Sequence, residues 1–130
     1  MMKLNSLSIL HVDDDEVDLL SVKRGINKNF DNITLMSEKN PNKALELINQ
    51  KPFDLIISDI NMGPPNGLEF LSKIKTIPVI IFSADNKSEI RNKALQLGAL
   101  EYFNKEFNTE NTIVDLTKFI QDFLLKHSSS

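Results

Sequence analysis

Asp54-Leu55-Ile56-Ile57-Ser58-Asp59 is an apolar run that ends in a carboxylate, and three further runs in the chain end in chemically active residues. Ser8-Ile9-Leu10-His11-Val12 leads into Asp13 and Asp14. Val79-Ile80-Ile81-Phe82 ends in the hydroxyl of Ser83, and Glu101-Tyr102-Phe103-Asn104 ends in the ammonium of Lys105. Short continuous apolar runs of this kind read as strands of a parallel sheet buried on both faces. In an open parallel sheet, ligands bind outside the carboxyl ends of the strands. Carboxylates gathered there repel one another, which a divalent cation relieves and a nearby lysine balances. Such a set suits oxygen coordination of Mg²⁺ and the handling of a phosphoryl group.

The stretches between the strands read as helices. Leu19, Val22, Ile26 and Phe30 follow helical spacing from Glu16 to about Lys28, with Glu16 and Asp18 placed favourably in the first turn. Ile33 to Met36 is a weaker strand. Asn40-Pro41 is an N-cap followed by proline at the first helical position, opening a helix that buries Ala44, Leu45 and Ile48 and stops before Pro52. Gly63-Pro64-Pro65-Asn66-Gly67 is a turn-rich loop leading to a helix with Leu68, Leu71 and Ile74. Ser88 is the expected cap of a helix carrying Ile90, Ala94 and Leu97, and Gly98 its left-handed end. Thr109 to about Lys126 carries a stripe of Ile113, Leu116, Ile120, Phe123 and Leu124. Five strands alternating with five helices predict a three-layer, doubly wound α/β domain with right-handed crossovers. No repeat, linker or second domain is visible, so residues 1–130 read as one domain, with 128–130 as a frayed tail.

Bulk properties narrow the function. The 130 residues include 41% hydrophobic and 25% charged, with a net charge of -3, which reads as a soluble globular domain and argues against binding a nucleic-acid backbone. The chain contains no cysteine, which excludes disulfides and thiolate metal sites. The apolar runs are far short of a membrane span, and polar Asn5, Ser6 and Ser8 interrupt the N-terminal stretch, so a signal peptide is not expected and the cytoplasm is the simplest location.

The chain resembles the receiver domain of two-component response regulators, the chemotaxis-regulator type included. The resemblance rests on Ile9-Leu10-His11-Val12-Asp13-Asp14, Asp54 to Asp59, Gly67 eight residues after Asp59, Pro78 to Ala84, and Leu97-Gly98-Ala99 leading to Tyr102 and Lys105. It implies a flavodoxin-like sandwich with strand order 2-1-3-4-5. It implies Asp59 as phosphoacceptor and Mg²⁺ held by Asp14 directly, by Asp13 mostly through water, and by Asp59 and the Asn61 carbonyl. It further implies Ser83 and Lys105 as partners of the phosphoryl oxygens and Tyr102 as an aromatic that swings inward when Ser83 engages. Asn61 and Asp85 would tune dephosphorylation. The implied protein is a bacterial phosphorelay switch rather than a turnover enzyme. Its donor would be a sensor histidine kinase or a histidine phosphotransfer protein. Its effector is unnamed, it would not bind nucleic acid or membrane itself, and it would be a monomer or a phosphorylation-dependent dimer.

Some residues depart from the family pattern. Gly63 stands where the family usually has proline, and Glu106 where proline usually follows the lysine. Since a cis bond without proline costs about 2.5–4 kcal/mol, a trans Lys105–Glu106 peptide with Glu106 turned to solvent is expected. His11 reads as a hydrogen-bonded core histidine, Asp15 as a cap or outer-shell residue, and Lys87, Arg91 and Lys93 as a solvated helix face. Asp13-Asp14-Asp15-Glu16-Val17 also fits the start of haloacid-dehalogenase-like phosphohydrolases, with Asp13 as nucleophile and Asp15 as acid/base. That reading leaves Asp59 unexplained and finds no later acidic pair for its metal.

Overall fold

The computed structural model of the protein describes residues 6–105 and 109–128. In chain order the elements are β1 (Leu7–Val12), α1 (Glu16–Asn29), β2 (Ile33–Glu38), α2 (Pro41–Gln50), β3 (Leu55–Ser58), α3 (Gly67–Ser72), β4 (Val79–Ser83), α4 (Ser88–Gln96), β5 (Glu101–Asn104) and α5 (Thr109–Ser128). The strands form one sheet in the order β2-β1-β3-β4-β5, every neighbouring pair parallel. This is the doubly wound topology that the strand–helix alternation predicts.

The continuous apolar strands are explained by burial on both faces. Leu10, Val12, Ile56 and Ile81 point to a core shared with Ala44 of α2, Phe70 and Leu71 of α3, and Ala94 of α4. Their neighbours Ile9, Leu55, Ile57, Ile80 and Phe82 point the other way, to Val22 and Ile26 of α1 and Leu116, Ile120 and Phe123 of α5. A two-residue alternation therefore reads as an unbroken apolar run because each face has its own helical cover.

Register decides what the strand ends do. Val12 pairs with Ser58, so Asp13 and Asp59 leave adjacent strands at the same level. Ser83 pairs with Asn104, so Lys105 follows at the same edge of the sheet. Backbone bonds hold these exits: Asp13 N–H to Glu38 O at 3.1 Å, Asp59 N–H to Val12 O at 3.0 Å and Lys105 N–H to Ser83 O at 2.7 Å.

Several local expectations are refined. β2 extends to Glu38 rather than Met36, because each residue from Leu7 to Val12 finds a partner between Ile33 and Glu38. α3 ends at Ser72, so Ile74 reaches the core from beyond the helix. Ser88 is not the cap of α4. Lys87 occupies that position without a side-chain bond, since an ammonium has no acceptor to offer the first turn, and the Asp85 carboxylate accepts the Lys87 N–H at 3.1 Å. Gly98 does take the left-handed conformation, at φ +109°, and the Ala99 N–H returns to Ala94 O at 3.0 Å. His11 is buried but not hydrogen-bonded: neither ring nitrogen has a partner among the described residues. Glu106 and its bond to Lys105 lie outside the described residues, as do 129–130 of the expected tail.

Candidate functional site

The site is assembled at the carboxyl edge of β1, β3, β4 and β5. Asp13 is fully buried, Asp59 almost so, and Asp14 is exposed at the rim. One carboxylate oxygen from each lies within 4.8 Å of the other two. Three carboxylate oxygens at this spacing are the ligand chemistry of a hard divalent cation such as Mg²⁺ or Mn²⁺, so the residues present fit the metal that the sequence implies.

Local structure explains how each group is aimed. Asp13 Oδ1 accepts the Asp15 N–H at 2.9 Å, which leaves Oδ2 for the centre of the site. Asp15 does not join the cluster; it is the N-cap of α1, and its side chain accepts the Val17 N–H at 2.9 Å. Asp59 Oδ1 accepts the Ile60 N–H at 2.7 Å, and Oδ2 faces the lysine. Gly67 closes the loop beneath Asp59. Its N–H donates to Ile60 O at 2.7 Å, and a Cβ there would collide with the Asp59 carbonyl oxygen and come 2.6 Å from Ile60 Cα. The glycine eight residues after Asp59 is thus required by a close backbone approach.

Lys105 stands among the carboxylates. Its Nζ lies 2.8 Å from Asp13 Oδ2, 2.8 Å from Asp18 Oδ2 and 3.7 Å from Asp59 Oδ2, and 5.0 Å from the centroid of the Phe82 ring. Burial works against the Lys105 charge, but its bonds to Asp13 and Asp18 and the nearby Asp59 outweigh it, so its pKa lies above the ordinary value. Burial also pushes Asp13 up to about 7, against the pull of the Lys105 ammonium. Asp18 is a member of the site that the sequence alone marks only as favourable to the helix dipole. The available signal was its position one turn into the helix that follows Asp13 and Asp14.

On the other side of Asp59, the Ser83 hydroxyl accepts the Asp85 N–H at 3.1 Å and keeps its own proton to donate. The Tyr102 ring is buried and its hydroxyl donates to Asp85 O at 2.7 Å, where the Asn104 amide also donates at 3.1 Å. Asp85 is held below the usual carboxylate range by the Lys87 backbone N–H, the Lys87 ammonium and the Asn61 side chain. The structure therefore brings Asn61 and Asp85 together at the mouth of the site. Arg91 is not simply solvated, since its Nη1 reaches Tyr102 O at 3.5 Å.

Comparison with known proteins bears on the family and the fold. The family model described as "Response regulator receiver domain" matches residues 9–117. The chain is similar to the transcriptional regulatory protein ZraR of Klebsiella oxytoca, with 34% identity over 90 residues, covering 66% of this chain and 20% of that protein. It is also similar to the probable transcriptional regulator ycf29 of Pyropia yezoensis, with 37% identity over 93 residues, covering 67% of this chain and 42% of that protein. The chain thus spans well under two thirds of the length of these relatives. Among solved structures, the Mn(2+)-bound form of response regulator Rcp1 superposes with a TM-score of 0.81 at 20% identity, covering 91% of this chain and 94% of the other, a likeness of fold. Among the described residues, no helix is long and apolar enough to cross a membrane.

Proposed function

Because this chain belongs to the response regulator receiver domain family, we propose that it is a phosphoacceptor switch of a two-component pathway, with Asp59 as the residue that is phosphorylated. The observation that carries the reading is the convergence of Asp13, Asp14 and Asp59 with the Lys105 ammonium 3.7 Å from Asp59. An Asp59 carboxylate oxygen bonds to phosphorus as the P–N bond of a phosphohistidine breaks, and the leaving imidazole keeps the electron pair of that bond. The histidine belongs to a sensor kinase or a phosphotransfer protein. Asp14, Asp59 and the Asn61 carbonyl, with Asp13 mostly through water, would hold Mg²⁺, which when bound would supply positive charge against the phosphoryl oxygens. Lys105 pairs with one of those oxygens, and Ser83 donates to another.

The phosphorylated state is read at the surface of α4, β5 and α5 around Tyr102, whose buried ring is tied to the loop after Ser83 through Asp85 O. Added charge biases a two-state element of this kind. Asn61 and Asp85 are polar and short, able to orient the water that ends the signal. Residues 1–130 act as one receiver domain in the cytoplasm, as a monomer or a phosphorylation-dependent dimer, without binding nucleic acid or membrane and without turnover of a substrate. Acetyl phosphate with Mg²⁺ adds a single phosphoryl group, measured by intact mass and peptide mapping. The Asp59→Asn variant takes up none, and a variant still labelled at Asp13 overturns the assignment in favour of phosphohydrolase-like chemistry.

A further inference from the structure

The Lys105 ammonium has three hydrogens, and the geometry around it is unequal. Two of them are committed at 2.8 Å, to Asp13 Oδ2 and Asp18 Oδ2. The third is left on the side of Asp59, across 3.7 Å, beyond hydrogen-bond length. The Phe82 ring closes a further side. The side chains of Lys105 and Asp18 are 6% and 18% exposed, so these charges are poorly screened and water competes little for them.

We propose that Asp18 is a positioning residue for phosphoryl transfer: with Asp13 it holds the Lys105 ammonium set back from Asp59, so that the nucleophilic carboxylate stays free and one N–H remains aimed at the arriving phosphoryl oxygen. The proposal rests on Asp59 being the phosphoacceptor. Without Asp18, the ammonium loses one of its two short bonds, and Asp59 Oδ2 is a carboxylate oxygen within reach to replace it. A short ion pair at Asp59 ties up an oxygen lone pair that the attack needs. It also fills the space in which a phosphoryl oxygen would meet the lysine. Asp18 lies in the first turn of α1, just past the N-cap Asp15, so the rigid start of the helix fixes where its carboxylate stands. The separation of 87 positions between Asp18 and Lys105 means that the pair also ties α1 to the end of β5.

The test uses the whole chain with acetyl phosphate as donor, at saturating donor and saturating Mg²⁺. Asp18→Ala lowers the rate constant for phosphorylation of Asp59 about fivefold or more, since an ångström of misplacement at a reacting centre costs up to about 100-fold. Asp18→Asn, which keeps the shape but loses the charge, moves the rate in the same direction, and Asp18→Glu recovers most of it. A merely structural role would lower the melting temperature and leave the saturated rate of the folded protein unchanged. In a metal-free crystal structure of Asp18→Asn, the Lys105–Asp59 separation shortens to about 2.7–2.9 Å, the length of a charge-assisted bond. A saturated rate within about twofold of wild type in both Asp18→Ala and Asp18→Asn, or an unchanged Lys105–Asp59 separation, overturns the proposal. If instead the unaltered protein takes no phosphoryl group on Asp59, the reading of the function itself has failed.

Discussion

His11 is a fully buried side chain on β1 with two ring nitrogens and no hydrogen-bond partner for either among the described residues. Its Nε2 lies 3.8 Å from Asp13 Oδ2, too far to bond. Burial first, and the Lys105 charge second, depress its pKa from 6.5 to about 3. A histidine whose folded pKa is lowered is less protonated in the folded than in the unfolded state. Its contribution to stability is therefore fully present above the unfolded value and is lost as pH falls from 6.5 towards 3. The steepest loss is about 1.4 kcal/mol per pH unit. Asp13 has the opposite sign: its raised pKa makes folding less favourable as pH climbs from 3.8 to about 7. Both proteins in a comparison of His11→Leu with wild type carry Asp13, so the difference between them isolates His11. The leucine variant is expected to match or exceed wild-type stability at neutral pH, because an unsatisfied buried polar group is removed. Urea titrations should then show its advantage widening through the window from 6.5 to 3, and an advantage that stays constant across it would contradict this account.

At the scale of elements, α3 shows how a short helix can be started by its own sequence. Asn66 accepts the Glu69 N–H at 2.9 Å while Glu69 returns a carboxylate oxygen to the Asn66 N–H at 3.2 Å, a complete capping box. The helix has six residues, too few to hold together without this and its tertiary packing. It presents Phe70 and Leu71 to the core and lies next to the Gly67 contact beneath Asp59. Asn66→Ala is expected to cost about 1 kcal/mol, read as a lower urea midpoint with an unchanged m-value. An unchanged midpoint would mean that packing alone starts the helix. The contrast with α4 is instructive. Ser88 has the right chemistry for a cap, yet the preceding turn is organised by Asp85, and the cap position falls on Lys87.

For the whole molecule, the cluster of like charges predicts that metal and phosphoryl mimic stabilise the fold together. The cation relieves repulsion among Asp13, Asp14 and Asp59 and then shares oxygens with the second ligand. A ligand at a hundredfold excess over its Kd stabilises the native state by about 2.7 kcal/mol. Each kcal/mol moves the melting temperature of a domain of this size by about 2–8 °C. Beryllofluoride should therefore raise the melting temperature clearly when Mg²⁺ is present and hardly at all in EDTA, measured by calorimetry. Equal stabilisation with and without the metal would rule out a shared site.

Local pattern in the sequence was enough for the strands, the helices and the active residues at the strand ends, while the strand order came from the family resemblance. Apolar runs of strand length, helical spacing between them, Asn40-Pro41 at one helix start and Gly98 at one helix end all depend on residues close together in the chain. Parallel topology then turns strand ends into neighbours. In the structure the pairings of Val12 with Ser58 and Ser83 with Asn104 bring Asp13, Asp59, Ser83 and Lys105 to one edge. Other features depended on tertiary structure. Among the described residues the His11 ring nitrogens lack partners, its ring lying edge-on to Phe82 with centroids 6.3 Å apart, and no local signal encodes that. Asp18 meets Lys105 because the lysine side chain reaches from the end of β5 to the first turn of α1, a contact between side chains from distant parts of the chain. The hydrogen bond that holds the buried Tyr102 likewise depends on where the loop after Ser83 places the Asp85 carbonyl. Strand identity is a property of short sequence windows, whereas partnership among buried charges and rings is decided only when the layers close on one another.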